Sequence, residues 1–414
     1  MERLVKRYAD KLITHGLCDE RNGMPLLGGL DAELVWNRED PASEILEEVI
    51  AGLNINSILF ARPSEPYFSI LNYLVRQELD VDTDAGGGGD DGDGNSDGGA
   101  AIRPQDTETR TFLHDIPISP EFDADSIVDA LKRRKSVIIP DQGIVAFGTV
   151  SPEQAFVTYS SICFAIFVKF LTDHLYAAAV GVAGKRERKI ALRAIADYKD
   201  SIRGADDSMS SDKLRKGPFT DGAEVLQAMT TAGRLTVEHR MVDSFFGNIS
   251  YRLGDVIYIS QTGSSLDELS GNTCACPMDG SSCAGITASS EYTAHRDIYQ
   301  ITDNRAILHG HPKFCVIMSL FCENFDCGFR GQCHIKCPEK RFIGDIPIVP
   351  GEVGTGPFGL CHTLPPAIVG RRGVIVYGHG LFTVGRCDFT DALSNLVEIE
   401  KMCIDRYLDR IEIG

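Results

Sequence analysis

Basic residues are in short supply. The 414-residue chain has 41 Lys plus Arg against 59 Asp plus Glu, a formal charge of -18. That balance excludes duplex nucleic acid as the partner, because phosphate contacts need a basic face. Small molecules or other protein surfaces are the expected partners. The N-terminus, MERLVKRYADKLITHG, lacks the uninterrupted apolar core of a signal peptide, which predicts a helix in a cytoplasmic protein. The most apolar stretch, Phe156 to Ala183, is interrupted by Lys169, Asp173 and His174, so a buried core helix is expected there and no membrane partner. At 43% apolar and 24% charged, the composition excludes a wholly disordered or fibrous chain, and the length excludes a small disulfide scaffold. The 13 cysteines are then expected as reduced thiols or metal ligands.

Length alone suggests roughly two or three domains. One segment, Asp80 to Ala100, carries seven Asp and no base. Its Asp91, Asp93, Asn95 and Asp97 alternate as in a calcium loop, but Ser96 stands where that loop needs Gly and no closing Glu follows, so a solvated insertion is the expectation.

Internal repeats sharpen the domain count. TFLHDIPISP from Thr111 matches RFIGDIPIVP from Arg341, RRKSVIIPDQGIVAFG from Arg133 matches RRGVIVYGHGLFTVG from Arg371, and SILFARP from Ser57 matches AILHGHP from Ala306. A long helix pattern follows the second block in each half, and the blocks keep one order. The reading is two tandem α/β units, each a central, mainly antiparallel or mixed sheet covered by helices. They span 1–180, with the acidic insertion at 80–100, and 220–414. A charged helix and linker fill 181–219.

The chemistry falls in the second unit. His309 and His311 end the strand AIL, and residues two apart on a strand share a side, so two imidazoles can meet one metal. His379 lies in the turn VYGHGLF, where Gly378 and Gly380 allow close backbone approach. Three neutral imidazoles suit zinc or a neighbouring divalent ion and leave a position open for substrate. In the first unit, the same positions are Phe60, Arg62 and Gln142. No ligand set survives there, so the first copy reads as structural and the second as catalytic.

The second half resembles the class II aldolase and adducin family over Glu224 to about Arg410, through GNISYRLGDVIYISQTG, SSEYTAHRDIYQ, HGHP and YGHGLF. That family includes fuculose-phosphate and rhamnulose-phosphate aldolases, ribulose-phosphate 4-epimerase and methylthioribulose-phosphate dehydratases. The resemblance implies two tandem aldolase-like α/β/α units, the first degenerate. It implies His309, His311 and His379 as metal ligands and Glu291 as the acid/base. Gly247, Asn248, Thr262, Gly263, Ser289 and Ser290 match loops that hold the phosphate of sugar-phosphate substrates, and Gly-rich turns with hydroxyls suit a dianion. It further implies a divalent-metal-dependent lyase acting on a phosphorylated ketose or hydroxy acid through a metal-stabilised enediolate. Zinc is the first choice, with Mn, Fe and Co open. Epimerisation, decarboxylation and dehydration by the same site remain alternatives, as does an adducin-like binding protein without turnover. The single-unit enzymes of the family resemble fourfold rings, so a fused pair is expected as a homodimer that is a pseudo-tetramer.

His295 and Tyr299, one turn apart after Glu291, are expected to pack against the sheet. Cysteines mark the departure from the family pattern. Cys274, Cys276 and Cys283 fall in one insertion, and Cys322, Cys327, Cys333 and Cys337 in another. For the second set, a thiolate site for zinc or an iron–sulfur cluster stands beside unligated thiols as the alternative.

Overall fold

The computed structural model describes all residues except 22, 85–98, 207–212, 244, 282 and 414. Asp91, Asp93, Asn95 and Asp97 therefore lie outside the described residues. The chain divides into one unit of residues 1–170 and 184–194 and another of 171–183 and 195–414. The cut thus falls inside the long apolar helix rather than after it. Its physical cause is that the end of this helix carries groups used by the second unit: Leu171 O accepts from Tyr407 Oη, and Tyr176 Oη donates to Leu320 O.

In the first unit α1 (Glu2–Thr14) precedes β1 (Leu26–Leu30), β2 (Leu34–Trp36), α2 (Ala42–Ala51), β3 (Ser57–Ala61) and α3 (Tyr67–Asp84). Then come β4 (Ala101–Ile102), α4 (Thr107–Leu113), β5 (Ile116–Pro117), α5 (Ala124–Leu131), β6 (Ser136–Ile139) and β7 (Gly143–Gly148). Asp106 and Asp123 start α4 and α5 by accepting from Thr109 N and Ser126 N, which satisfies donors that a helix leaves unpaired. Five strands form an antiparallel sheet in the order β2-β1-β3-β7-β6. One face is covered by α2 and α5, whose Leu46, Val49, Ile127 and Leu131 pack on Ile58, Val137 and Val145.

Helix α6 (Pro152–Ala179) is apolar nearly all round, and Phe156, Phe164, Phe167 and Phe170 are fully buried, as a core helix requires. It is the one described helix long and apolar enough to cross a membrane, yet 89% of its most apolar window is buried. After it comes α7 (Lys185–Asp206).

The second unit opens with α8 (Gly222–Glu238), capped by Asp221. It continues through β8 (Asn248–Leu253), β9 (Val256–Ser260), β10 (Thr273–Pro277), α9 (Tyr292–Ile301), β11 (Ala306–Gly310) and α10 (Lys313–Leu320). Next are β12 (Arg341–Ile343), β13 (Ile346–Val349), α11 (Leu360–Ile368), β14 (Gly373–Val376), β15 (Gly380–Gly385) and α12 (Phe389–Ile413). Eight strands pair in the order β10-β9-β8-β11-β15-β14-β13-β12. Among the described strands only β13 and β14 run parallel, so this sheet is mixed whereas the first is antiparallel. Its central five strands, β9-β8-β11-β15-β14, repeat the order of the first sheet. The register agrees too, since Phe60 faces Val145 as His309 faces Phe382.

One buried group joins the elements behind the HGHP segment. Glu400 of α12 is 0% exposed. It accepts from Phe314 N and Cys315 N, each at 2.8 Å, and from Tyr198 Oη at 2.8 Å. Helix α10 starts after Pro312, which offers no side-chain cap, so Glu400 caps it from another element. Burial pushes this carboxyl above its ordinary range against the pull of those donors. Glu400→Ala should therefore strand two buried N–H groups and lower stability by about 2–4 kcal/mol. Denaturant unfolding checks this, and a loss below about 0.5 kcal/mol would deny the cap its role.

Candidate metal centre

His309, next to last in β11, lies between Asn248 of β8 and Phe382 of β15, its register partners on either side. Phe382 stacks on its ring with centroids 3.8 Å apart, and its Nδ1 lies 3.1 Å from Leu381 O. A carbonyl can only accept, so that contact puts the proton on Nδ1 and leaves Nε2 as a lone pair. His311 follows the strand, and its Nε2 is 3.0 Å from Nε2 of His309. Phe246 stacks on the His311 ring with centroids 5.4 Å apart. His379 arrives from the turn between β14 and β15, where Gly378 takes φ +60 and donates its N–H to Ser319 Oγ.

The three imidazoles bring ligand atoms within 4.8 Å of one another, and all are buried. Burial, reinforced by the neighbouring His309 and His379, pushes His311 far below its ordinary range. The ring nitrogens that converge here form a donor set for a divalent cation once His379 Nε2 gives up the proton it shares with Glu291. Among the described residues no other group meets this test.

Glu291 completes the arrangement. It occupies the N-cap of α9 but makes no side-chain cap bond, and it is 4% exposed. Its Oε1 is 2.7 Å from His379 Nε2, its Oε2 is 3.6 Å from His309 Nε2, and Asn248 Nδ2 donates to Oε2 at 2.6 Å. Burial alone would raise this carboxyl. The His309 and His379 rings and the two hydrogen bonds outweigh burial and hold it well below the usual carboxylate range.

The residues assigned to phosphate binding divide. Asn248 turns to Glu291, a role that sequence spacing did not show; the signal was its place opposite His309 across the β8–β11 pair. Gly247 has φ +97, and a Cβ there would lie 2.6 Å from His309 O, so backbone geometry explains this glycine. Thr262 and Gly263 are exposed, and Thr262 Oγ1 donates to Ala288 O, joining their turn to the segment with Ser289 and Ser290. Ser289 is buried and its Oγ accepts from Glu291 N at 3.3 Å, while Ser290 is exposed. The Gln261–Ala288 bridge holds the turn at Thr262 against the segment that leads into Glu291. Phe246, Phe382 and Ser250 went unnoticed in the sequence. Ser250 Oγ meets His295 Nδ1 at 2.7 Å and Tyr299 Oη at 2.8 Å, so His295 and Tyr299 join a buried hydrogen-bond chain rather than merely packing. Burial pushes His295 down to about 3, which keeps that chain neutral.

The thiolate site is not assembled. Cys322, Cys327, Cys333 and Cys337 line one cleft with Tyr176 and Tyr377, but each is half-buried and they do not converge as the histidines do. Burial raises the Cys333 thiol, and the neighbouring Cys337 and Cys322 add to the rise, which disfavours its ligating form. Cys274 and Cys276 lie in the core of the second unit and act as small apolar side chains. The Cys283 side chain lies outside the described residues.

Gly380 tests the geometry. A Cβ there would lie 2.5 Å from Gly310 O and 2.8 Å from His309 Cε1. Gly380→Ala should force β11 and β15 apart and lower stability by about 1–3 kcal/mol. Thermal unfolding at the parent's midpoint would contradict that close approach.

Residues 227–405 match the model of the class II aldolase and adducin N-terminal domain. Among curated relatives, L-fuculose phosphate aldolase of Methanococcus maripaludis strain S2 is 26% identical over 177 residues, which is 42% of this chain and 92% of the relative. The same enzyme from strain C7 is 27% identical over 176 residues, 42% of this chain and 91% of the relative. Of solved structures, L-fuculose-1-phosphate aldolase from Thermus thermophilus is 21% identical with a TM-score of 0.35, covering 45% of this chain and 92% of that one. The matched segment holds Glu291, His309, His311 and His379 together, so the similarity to the class II aldolase and adducin family falls on the second unit and includes its buried histidine cluster.

Proposed function

We propose that the protein is a divalent-metal-dependent aldehyde-lyase with one working site per chain, acting on a phosphorylated ketose or hydroxy acid. The observation that carries this reading is Glu291, a buried carboxylate set against three converging imidazoles without a structural task as a helix cap. A scaffold protein has no use for such a group, whereas acid/base chemistry needs one beside an electrophilic centre.

His309, His311 and His379 would hold the ion, zinc first, through their Nε2 atoms. When bound, such an ion supplies Lewis acidity to substrate oxygens and offsets negative charge developing as a C–C bond breaks. The chain's own residues do the rest. Asn248 anchors Oε2 of Glu291 and so presents Oε1 as the oxygen that takes or returns the proton. Phe246 and Phe382 wall the imidazoles and keep water from them. The turn at Thr262 and Gly263 and the segment at Ser289 and Ser290 offer backbone N–H groups and hydroxyls to a phosphate. The relatives named as L-fuculose phosphate aldolases make that ketose phosphate the first substrate to try.

The matching strand order and register support descent of both units from one duplicated domain, the first having lost its ligands. A cytoplasmic homodimer with pseudo-tetrameric arrangement is part of the same reading.

Elemental analysis of the purified chain should find about one equivalent of divalent metal, lost in the His309→Ala, His311→Ala double variant. Glu291→Gln should keep the metal while turnover of L-fuculose 1-phosphate falls by about 10²–10⁴. Metal content indifferent to the histidines, or full turnover in Glu291→Gln, would defeat the reading.

A further inference from the structure

The first unit contains a cavity of about 450 Å³ that the metal centre does not use. It is lined by Arg62 after β3, Arg76 on α3, and Arg186, Lys189 and Arg193 on the first part of α7, with Glu65 as the one acidic residue of the lining. Residues 186, 189 and 193 follow the three-and-four spacing of one helix face. That face is thus basic where it borders the cavity, and the facing side of α3 contributes Asn72 and Arg76.

Such a concentration is costly in an empty protein. Like charges on facing surfaces repel, and cations at the start of α7 also oppose the positive end of its dipole. The chain has 59 acidic residues against 41 basic ones, yet the lining reverses that balance. Arg76 reaches Asp141 only at 3.7 Å, with both side chains largely exposed. Arg62 lies flat on Phe68 at 3.7 Å, which fixes its guanidinium, and its buried Nε has no hydrogen-bond partner. By repeat position and strand register Arg62 stands where the second unit has His311, a donor set for a cation replaced by a group that binds anions.

We propose that this cavity is a binding site for a phosphate-bearing small molecule, a phosphomonoester or diphosphate. A planar guanidinium held by stacking presents two parallel N–H donors to phosphate oxygens, and the lysine adds a point charge. The volume suits a small ligand. The net charge of -18 turns away long polyanions that would extend beyond the cavity. This assignment is independent of what reaction the second unit performs.

Calorimetric titration of the full chain with inorganic pyrophosphate, repeated with inorganic phosphate, tests it. The parent should bind one pyrophosphate in this cavity. Lys189→Gln, Arg193→Gln together should weaken that event by about tenfold or more, while Glu291→Gln binds as the parent does. Both replaced side chains are exposed, so the variant should stay folded, which its cooperative thermal unfolding without ligand checks. No binding at millimolar pyrophosphate, or equal binding by the neutralised variant, overturns the proposal. So does tighter binding of a single-stranded oligonucleotide that the same variant abolishes, because the ligand would then be a polymer.

Discussion

Pairing of β11 with β15 sets Phe382 directly against His309 and delivers the turn that carries His379, so the site exists only while those two backbones stay within touching distance. Glycine at 380 permits that approach, since a Cβ there would meet Gly310 O at 2.5 Å, and glycine at 310 lets β11 pass Met241 O, which a Cβ would meet at 2.6 Å. The remaining parts attach to this pair. On the other side of β11, β8 brings Asn248 to Glu291, and α9 begins at the residue whose carboxylate closes the cluster. A sheet is suited to this work because neighbouring strands hold opposing side chains within about 5 Å of each other.

Several groups sit in the second unit at an energetic disadvantage. A carboxylate, three imidazoles and the Ser250–His295–Tyr299 chain are shut from water near one another, and buried polar groups destabilise unless they find partners. Around the start of α10 a second set answers this differently. Lys313 is 2% exposed and pairs with Asp243, with Tyr198 lying beneath its ammonium at 5.4 Å, and Glu400 satisfies the helix donors. The HGHP segment is therefore braced from behind by a closed network. In front, the hydrogen-bond capacity of the imidazole Nε2 atoms is turned towards Glu291 and one another.

Much of this was legible in the sequence. The repeated Asp-Ile-Pro-Ile blocks and the HGHP and YGHGLF segments located the strands that matter, because strand ends with flanking glycines leave a short-range pattern. His309, His311, His379 and Glu291 meet as expected. What was hidden depends on pairing between distant segments. Asn248 reads as a turn residue until β8 is laid beside β11, and Ser250, a strand residue like many others, joins His295 and Tyr299 only through the sheet. The cysteines left two readings open for the opposite reason. Their closeness in sequence, four within 16 residues, suggested convergence, whereas an irregular loop gives neighbours no common direction. The split of α6 between units was also out of reach, since a helix apolar on every side does not announce which core each turn will join.

Agreement of register between the two sheets extends to where their backbones crowd. Leu26 faces Phe60 in the first unit as Asn248 faces His309 in the second, and Gly143, like Gly380, leaves room for a carbonyl, that of Ala61, where a Cβ would stand 2.4 Å away. The first unit thus has the same tight backbone approach, with Phe60, Arg62 and Gln142 where the second has its three histidines. At these positions the two units differ in side chains alone. One backbone frame thus accommodates either set of side chains, because the crowding is relieved by glycine and not by the residues that differ between the units.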